Sequence, residues 1–185
     1  MYFDAENITC KSGKELKIVS IGPDNAEQFL DFMHQVSDDT HFMSRYGNEI
    51  GQTEKDILAE RERLKGLFED ERQGMISIFD GNRIIGNIAI KNVGKGRKTK
   101  HRCSIGLAVR KEYHGEGLGT ILMECAIRFA EAAGYQYIEL GVLSDNKTAQ
   151  GLYKKMGFEE WGRLPNAFIL DDGSSLDEIT MYKAI

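Results

Sequence analysis

The chain has 185 residues, 41% of them hydrophobic and 29% charged, with a formal net charge of -5. That size suits one compact domain with a single core, so a single domain over residues 1–185 is the expectation. The acidic balance excludes a general nucleic-acid binder, which needs a cationic footprint. No stretch reaches the ~20 apolar residues of a membrane-spanning helix.

Cys10, Cys103 and Cys125 lack CxxC spacing and accompanying histidines, so neither a disulfide framework nor a zinc site is indicated. A reducing compartment follows from that usage. No basic region followed by an apolar run stands near Met1, and the expected location is cytoplasmic.

The first elements read as a hairpin at about 7–20, in which Ile8 to Cys10 and Leu16 to Val19 flank Lys11-Ser12-Gly13-Lys14. After Pro23, apolar residues Phe29, Leu30, Met33 and Val36 recur at helical spacing, and Ile57, Leu58, Leu64, Leu67 and Phe68 do so after Thr53. Between these two amphipathic helices, His41 to Glu49 mixes aromatic, charged and glycine residues, as either a loop over a binding site or a surface connection would. Met75 to Phe79 and Arg83 to Val93 form a second hairpin through Asp80-Gly81-Asn82. Lys91, Lys95, Arg97, Lys98 and Lys100 cluster around Gly94 and Gly96 without interleaved aromatics, which reads as a mobile solvated loop. A strand follows from Cys103 to Arg110. Then come a helix from Gly117 to Ala133, a strand from Tyr137 to Val142, a helix from Asn146 to Met156, and two β segments around Phe168 and Ile179. The expected architecture is a mixed α/β (α+β) domain, a central sheet with about four helices packed on it.

The most informative stretch runs from Ile105 to Thr120, a strand, a glycine-rich turn (His114-Gly115-Glu116-Gly117-Leu118-Gly119) and a helix start. Alternating glycines let successive N–H groups turn toward one anion, and the following helix offers unpaired N–H groups at its positive end. Such a turn can cradle a pyrophosphate. Ile121, Leu122, Cys125, Ala126 and Phe129 supply the stripe that fixes the helix, with Gly134 as its cap. The nucleoside-triphosphate loop fails as an explanation, because Thr120 and Ile121 follow the last glycine where a lysine is needed. The dinucleotide fingerprint also fits poorly: Arg110 to His114 separate strand from glycines, and the spacing is GxGxG.

Downstream, Asn146-Lys147-Thr148-Ala149-Gln150-Gly151-Leu152-Tyr153-Lys154-Lys155-Met156-Gly157-Phe158 supplies a second motif. Together with HGEGLG it resembles the GNAT family of acetyl-coenzyme A-dependent N-acetyltransferases. That family's cofactor turn reads Q/R-x-x-G-x-G/A and its later helix N-x-x-A-x-x-L-Y-x-x-x-G-F. The match is detailed from about Ile105 to Phe158 and looser from about Leu16 to the C-terminus. The resemblance implies a mostly antiparallel twisted sheet of the GNAT acyltransferase kind and acetyl-coenzyme A as cofactor. It places Leu107, Ala108 and Val109 beside the pantetheine arm, with main-chain hydrogen bonds from Leu107 and Val109. It gives the pyrophosphate to amides of His114, Gly115, Glu116, Gly117, Leu118, Gly119 and Thr120, and adds Asn146 as a cofactor contact. His114 stands where the family usually has Gln or Arg. By the same resemblance, Tyr153 adjoins the cofactor and is the acid that protonates the departing thiolate, and the Val109 N–H serves the developing oxyanion.

An amine of pKa ~10 arrives protonated and needs a base. Glu139 and Glu49 are the candidates, since Cys103-Ser104 offers no acid in the strand before the turn. Direct transfer to a primary amine, small-molecule or peptide, is the leading reading and requires no metal. A catalytically silent acyl-coenzyme A sensor is the alternative, and a covalent carrier on Cys103 or Cys125 lacks a histidine partner. Arg45, Tyr46 and Glu49 are candidates for the acceptor loop, and Arg163 to Phe168 either lines the acceptor site or connects strands. Expected partners are the amine and a second copy of the chain in a homodimer, without nucleic acid or membrane.

Overall fold

The computed structural model describes residues 3–94 and 96–185. Met1, Tyr2 and Lys95 of the basic cluster therefore lie outside the described residues. In chain order the elements are β1 (Glu6–Thr9), β2 (Glu15–Ser20), α1 (Ala26–Asp39), α2 (Glu54–Glu69), β3 (Gly74–Asp80), β4 (Arg83–Asn92), β5 (Arg102–Val109), α3 (Leu118–Ala132), β6 (Tyr137–Leu143), α4 (Lys147–Lys155), β7 (Glu159–Ile169) and β8 (Ser175–Ala184). Single 3-10 turns cover Pro23–Asn25, Gly47–Glu49 and Lys111–Tyr113. Lys91 belongs to β4, paired with Ser104, and Arg163 to Phe168 lies within β7. In both places strand pairing runs farther than the local composition suggests.

The described strands form one sheet in the order β1-β2-β3-β4-β5-β6-β8-β7. Every pairing is antiparallel except β5 with β6. Alternation splits the strand side chains between two cores. On one face, Cys103, Ile105, Ile138, Leu140, Ile179 and Met181 pack with α3 and α4. On the other, Met75, Phe79 and Ile84 meet Phe29, Phe32 and Val36 of α1 and Leu64 of α2. Phe32 is fully buried, and a side chain of that size contributes about 2–3 kcal/mol by leaving water. α3 ends in a Schellman arrangement: Gly134, at φ +74°, donates to the Glu131 carbonyl and Tyr135 to that of Ala130. Among the described residues no helix is long and apolar enough to cross a membrane.

One register feature positions the site. The parallel ladder joins only Arg102 to Tyr137, Cys103 to Ile138 and Ser104 to Glu139. Beyond Ser104 and Glu139 the two strands part, although β5 continues to Val109 and β6 to Leu143. Each remains paired on its outer edge, to β4 and β8. The sheet thus opens into a wedge between the C-terminal halves of its two parallel strands.

Candidate active site

The Arg110 N–H donates to the Ile85 carbonyl of β4 at 2.9 Å. Strand alternation then turns the main-chain groups of Ala108 toward β4 and those of Ile105, Leu107 and Val109 toward the wedge. Ala108, expected at the cofactor, is paired with Asn87, and its methyl packs on the α1 side. Leu107 and Val109 offer the open edge, with side chains against the α3 core. The same reasoning applied to β6, where the Ser144 N–H donates to Asp177 of the β8 end, turns Gly141 and Leu143 into the wedge.

The turn at the mouth of the wedge uses positive backbone φ at two of its glycines. Gly115 and Gly117 both have φ +84°, and Gly117 is the N-cap of α3, a conformation that costs other residues about 1–2 kcal/mol. Three of the seven amides expected to meet the phosphates are already engaged: His114 N–H with Lys111, Glu116 N–H with Tyr113, and Thr120 N–H with Gly117. Those of Gly115, Gly117, Leu118 and Gly119 have no partner among the described residues. A Cβ on Gly119 would stand 3.0 Å from Leu152 Cδ2, so that glycine lets α3 approach α4.

Several contacts that the sequence did not announce hold this turn. Arg110, 1% exposed, donates from Nε to the Ile84 carbonyl (2.8 Å) and from Nη2 to Asp31 (2.6 Å), with Phe32 beneath its guanidinium. Tyr113 and Lys14 both donate to Asp80, and these bonds, Lys14's first, hold the Asp80 carboxyl below its ordinary range. The β1–β2 hairpin docks on the turn: the Ser12 N–H donates to Glu116 Oε2 (2.8 Å) and the Lys11 N–H to the Glu116 carbonyl. The Ser12 bond lowers the pKa of Glu116. The Lys11 aliphatic chain runs beside Gly117. The His114 ring bonds the Val109 carbonyl at 2.9 Å. A carbonyl can only accept, so Nε2 carries the proton. The histidine at the family's Gln or Arg position therefore fixes the carbonyl of Val109 while the N–H of that residue stays turned to the wedge.

Asn146 caps α4 through its side-chain oxygen, which accepts from the Ala149 N–H at 3.1 Å. Gln150, buried, donates to the Leu143 and Ser144 carbonyls and secures the same corner. Tyr153 is 6% exposed, with its ring 6.1 Å from that of Phe158, and burial pushes its phenol up to about 12. Its hydroxyl takes no hydrogen bond among the described residues, yet it retains solvent contact, unlike the orphaned buried atoms Ser37 Oγ and Arg72 Nε.

The carboxylates expected as bases fall apart from one another. Glu139 lies at the closed end of the wedge, its two oxygens engaged by Arg102 Nε and Nη2. Glu49 accepts from the Tyr46 N–H (2.8 Å) and lines a cavity of about 70 Å³ with His41, Arg45, Tyr46 and the β7 end at Phe168 and Ile169. Around that cavity, His41 Nε2 meets Asp145 at 2.6 Å and the Tyr46 hydroxyl accepts from the Asp171 N–H at 2.9 Å. The 41–49 loop thus joins both the β6–α4 corner and the β7–β8 tip. A larger cavity of about 510 Å³, between α1, the start of α2 and the β3–β4 turn, is lined by none of the expected site residues. The cysteines are buried, and burial pushes the Cys103 thiol up to about 12 and raises that of Cys125. Neither is a ready thiolate.

A sheet opened at one parallel seam, with partnerless amides and a helix N-terminus at the mouth, defines a fold suited to an extended ligand that ends in phosphates. The chain belongs to the acetyltransferase (GNAT) family, whose model matches residues 32–158. It is 33% identical over 87 residues to N-alpha-acetyltransferase 30 of Schizosaccharomyces pombe, a match covering 46% of this chain and 57% of that protein. The chain thus spans little more than half the length of that relative. The GNAT-family acetyltransferase structure from Streptococcus pneumoniae superposes with a TM-score of 0.83 at 27% identity, over 92% of this chain and 99% of that one. The structure of yncA from Salmonella typhimurium, solved with its cofactor acetyl-CoA, shares the fold at a TM-score of 0.74 and 15% identity, over 91% and 93%.

Proposed function

We propose that the chain is an N-acetyltransferase that moves the acetyl group of acetyl-coenzyme A onto a primary amine by direct attack. The observation that carries this reading is a coincidence of place. Four partnerless amides of a phosphate-type turn, the open edge of β5 and an unpartnered phenol all belong to elements bordering one wedge. The glycines fit the ligand class, since side chains at 115 and 117 would be held at a strained positive φ and the turn that aims its amides would be harder to form.

Bound there, the coenzyme supplies an activated thioester. The amides of Gly115, Gly117, Leu118 and Gly119 hold the diphosphate at the positive end of α3. Leu107 and Val109 bond the pantetheine chain, and the Val109 N–H donates to the acetyl oxygen as charge develops there, a contact worth about 3 kcal/mol. Tyr153 gives its proton to the sulfur. Its phenol is protonated throughout the physiological range because burial disfavours the phenolate. The same desolvation raises the basicity of a departing thiolate, so donor and acceptor are better matched inside the pocket than in water. Glu49, which lines one small cavity with Arg45 and Tyr46, would serve the acceptor in this reading.

Calorimetry with acetyl-coenzyme A, followed by an amine panel monitored through free-thiol release, tests the reading. Tyr153→Phe is expected to lower kcat about a hundredfold with donor affinity little changed. Equal rates remove Tyr153 from the chemistry. Donor binding without turnover on any amine turns the reading toward an acyl-coenzyme A sensor, and no binding ends both.

A further inference from the structure

We infer that Glu178 receives the acceptor: its carboxylate binds the substrate's ammonium group and takes the proton that leaves before attack, an inference that rests on the acetyl-transfer reading above. Along β6, Ile138, Leu140 and Val142 enter the core shared with α3, so Glu139, Gly141 and Leu143 face the opposite side, toward α1 and α2. On β8, Ile179 and Met181 enter that same core, which puts Glu178 on the face of Gly141. A Cβ on Gly141 would collide with Glu178 Oε1, so the carboxylate lies directly over the bare backbone of β6. The φ of Gly141 is not in the left-handed range. What the glycine supplies is room for an acid from another strand.

The position is the informative part. Gly141 lies two residues beyond Glu139, the last β6 residue paired to β5, where the strands have already parted. Glu178 therefore lies beside the wedge on the face opposite the α3 core.

Its surroundings leave it without a cation. Glu178 is half-buried and makes no hydrogen bond or ion pair among the described residues. Three charged pairs on neighbouring elements are engaged with one another: Glu139 with Arg102 across β6 and β5, Asp177 with Arg163 across β8 and β7, and His41 with Asp145 between the 41–49 loop and the β6–α4 corner. Arg45 of that loop makes no ion pair with Glu178 among the described residues. An incoming ammonium group would give this carboxylate a charge-assisted hydrogen-bond partner. Of the acids expected from the sequence, Glu139 has both oxygens on Arg102, and Glu49 holds the Tyr46 N–H.

The step balances without another reactant. One ammonium proton passes to Glu178, the freed lone pair forms the C–N bond, and the C–S bond breaks. The sulfur collects the Tyr153 proton, a second N–H proton restores that hydroxyl, and Glu178 releases its own proton to water.

Glu178→Gln, which keeps the shape and removes the charge, is the test, with thermal melting to confirm the fold. The panel is butylamine, lysine amide, a peptide with a free α-amine, and hydroxylamine, which is neutral at pH 7. Acetyl-coenzyme A affinity is expected to stay within about twofold, while kcat/KM for the cationic amines falls about a hundredfold, with a rise in KM. For hydroxylamine the loss narrows to about tenfold or less, since no ammonium needs binding. If the Gln variant does not fold, Glu178→Asp, which withdraws the carboxylate by one methylene, should show the same selectivity. Unchanged transfer, an equal loss with hydroxylamine, or a wild-type protein that binds the donor yet acetylates none of the panel overturns the inference. A wild-type protein that does not bind acetyl-coenzyme A overturns the reading beneath it instead.

Discussion

The two sides of the wedge are built differently. The side proposed for the donor is a nearly continuous piece of chain, β5, the turn and the start of α3, joined by α4. Contacts from every quarter hold it: Arg110 to Ile84, Tyr113 to Asp80, Ser12 to Glu116, and Leu152 against Gly119. The side proposed for the acceptor collects residues 41–49, Gly141, Phe168 to Asp171 and Glu178 from four separate stretches. Largely exposed hydrogen bonds, His41 to Asp145 and Tyr46 to Asp171, join them. A rigid donor cradle suits a ligand that does not vary. A wall of loop and strand ends can be altered without disturbing the core, which is how one fold comes to serve many amines.

The contrast breaks first at Gly117. A valine there must adopt φ near +84°, at a cost of about 1–2 kcal/mol, and its branched side chain meets the Lys11 aliphatic chain that docks on the turn. Acetyl-coenzyme A affinity should fall about tenfold or more by calorimetry, while KM for the amine at saturating donor changes little. A parallel loss on the amine would mean that the two sides are one unit.

Arg110 sharpens the comparison, because it ties the donor turn to α1. Its guanidinium is buried, but Asp31 is 63% exposed, so the ion pair is solvated at one end and contributes little. The Ile84 carbonyl and the packing on Phe32 carry more. Arg110→Ala should therefore cost about 2–3 kcal/mol in denaturant unfolding, and Asp31→Ala under about 1 kcal/mol. Equal costs would show that the charge pair dominates after all.

The same asymmetry explains what the sequence disclosed. The glycine turn, α3 with its Gly134 cap and the α4 motif were legible because each is a local pattern: spacing of glycines, helical periodicity, an asparagine before a helix. All four helices and the succession of strands along the chain follow from periodicity and turn residues, whereas the order of strands in the sheet does not. What escaped were residues whose meaning arises only when distant strands meet. Arg110 reads as an ordinary strand-end arginine until Ile84 and Asp31 close around it. Glu178 sits in a run of acids and alternating residues, and nothing within its own strand announces that Gly141 leaves it room. Glu139 is a candidate base in the sequence as an acid on the strand after α3, but its carboxylate is neutralised across the sheet by Arg102. The resemblance gives seven amides to the pyrophosphate, and three of them are consumed by the tightness of the turn itself.

The smallest effect concerns the exposed bolt beneath the donor turn. Asp80 accepts from Lys14 and Tyr113, and its carboxyl is held below its ordinary range. A carboxylate with a depressed folded-state pKa adds stability that is fully present above the unfolded value near ~3.9 and is lost as pH falls through the folded value. Lys14, raised chiefly by the same bond, behaves oppositely: its share is present below ~10.4 and is lost as pH rises through the folded value. Both groups are close to solvent, so screening keeps the contribution small. Asp80→Asn should lower Tm by roughly 2 °C at pH 7. The gap should begin to narrow as pH falls below the unfolded value near ~3.9 and close only below the lower folded value of the wild-type carboxyl, and it should shrink in high salt. A difference that persisted unchanged into acid would assign the effect to the shape of the β3–β4 turn. The charge that fastens Tyr113 and the hairpin to the donor side would then be incidental to its rigidity.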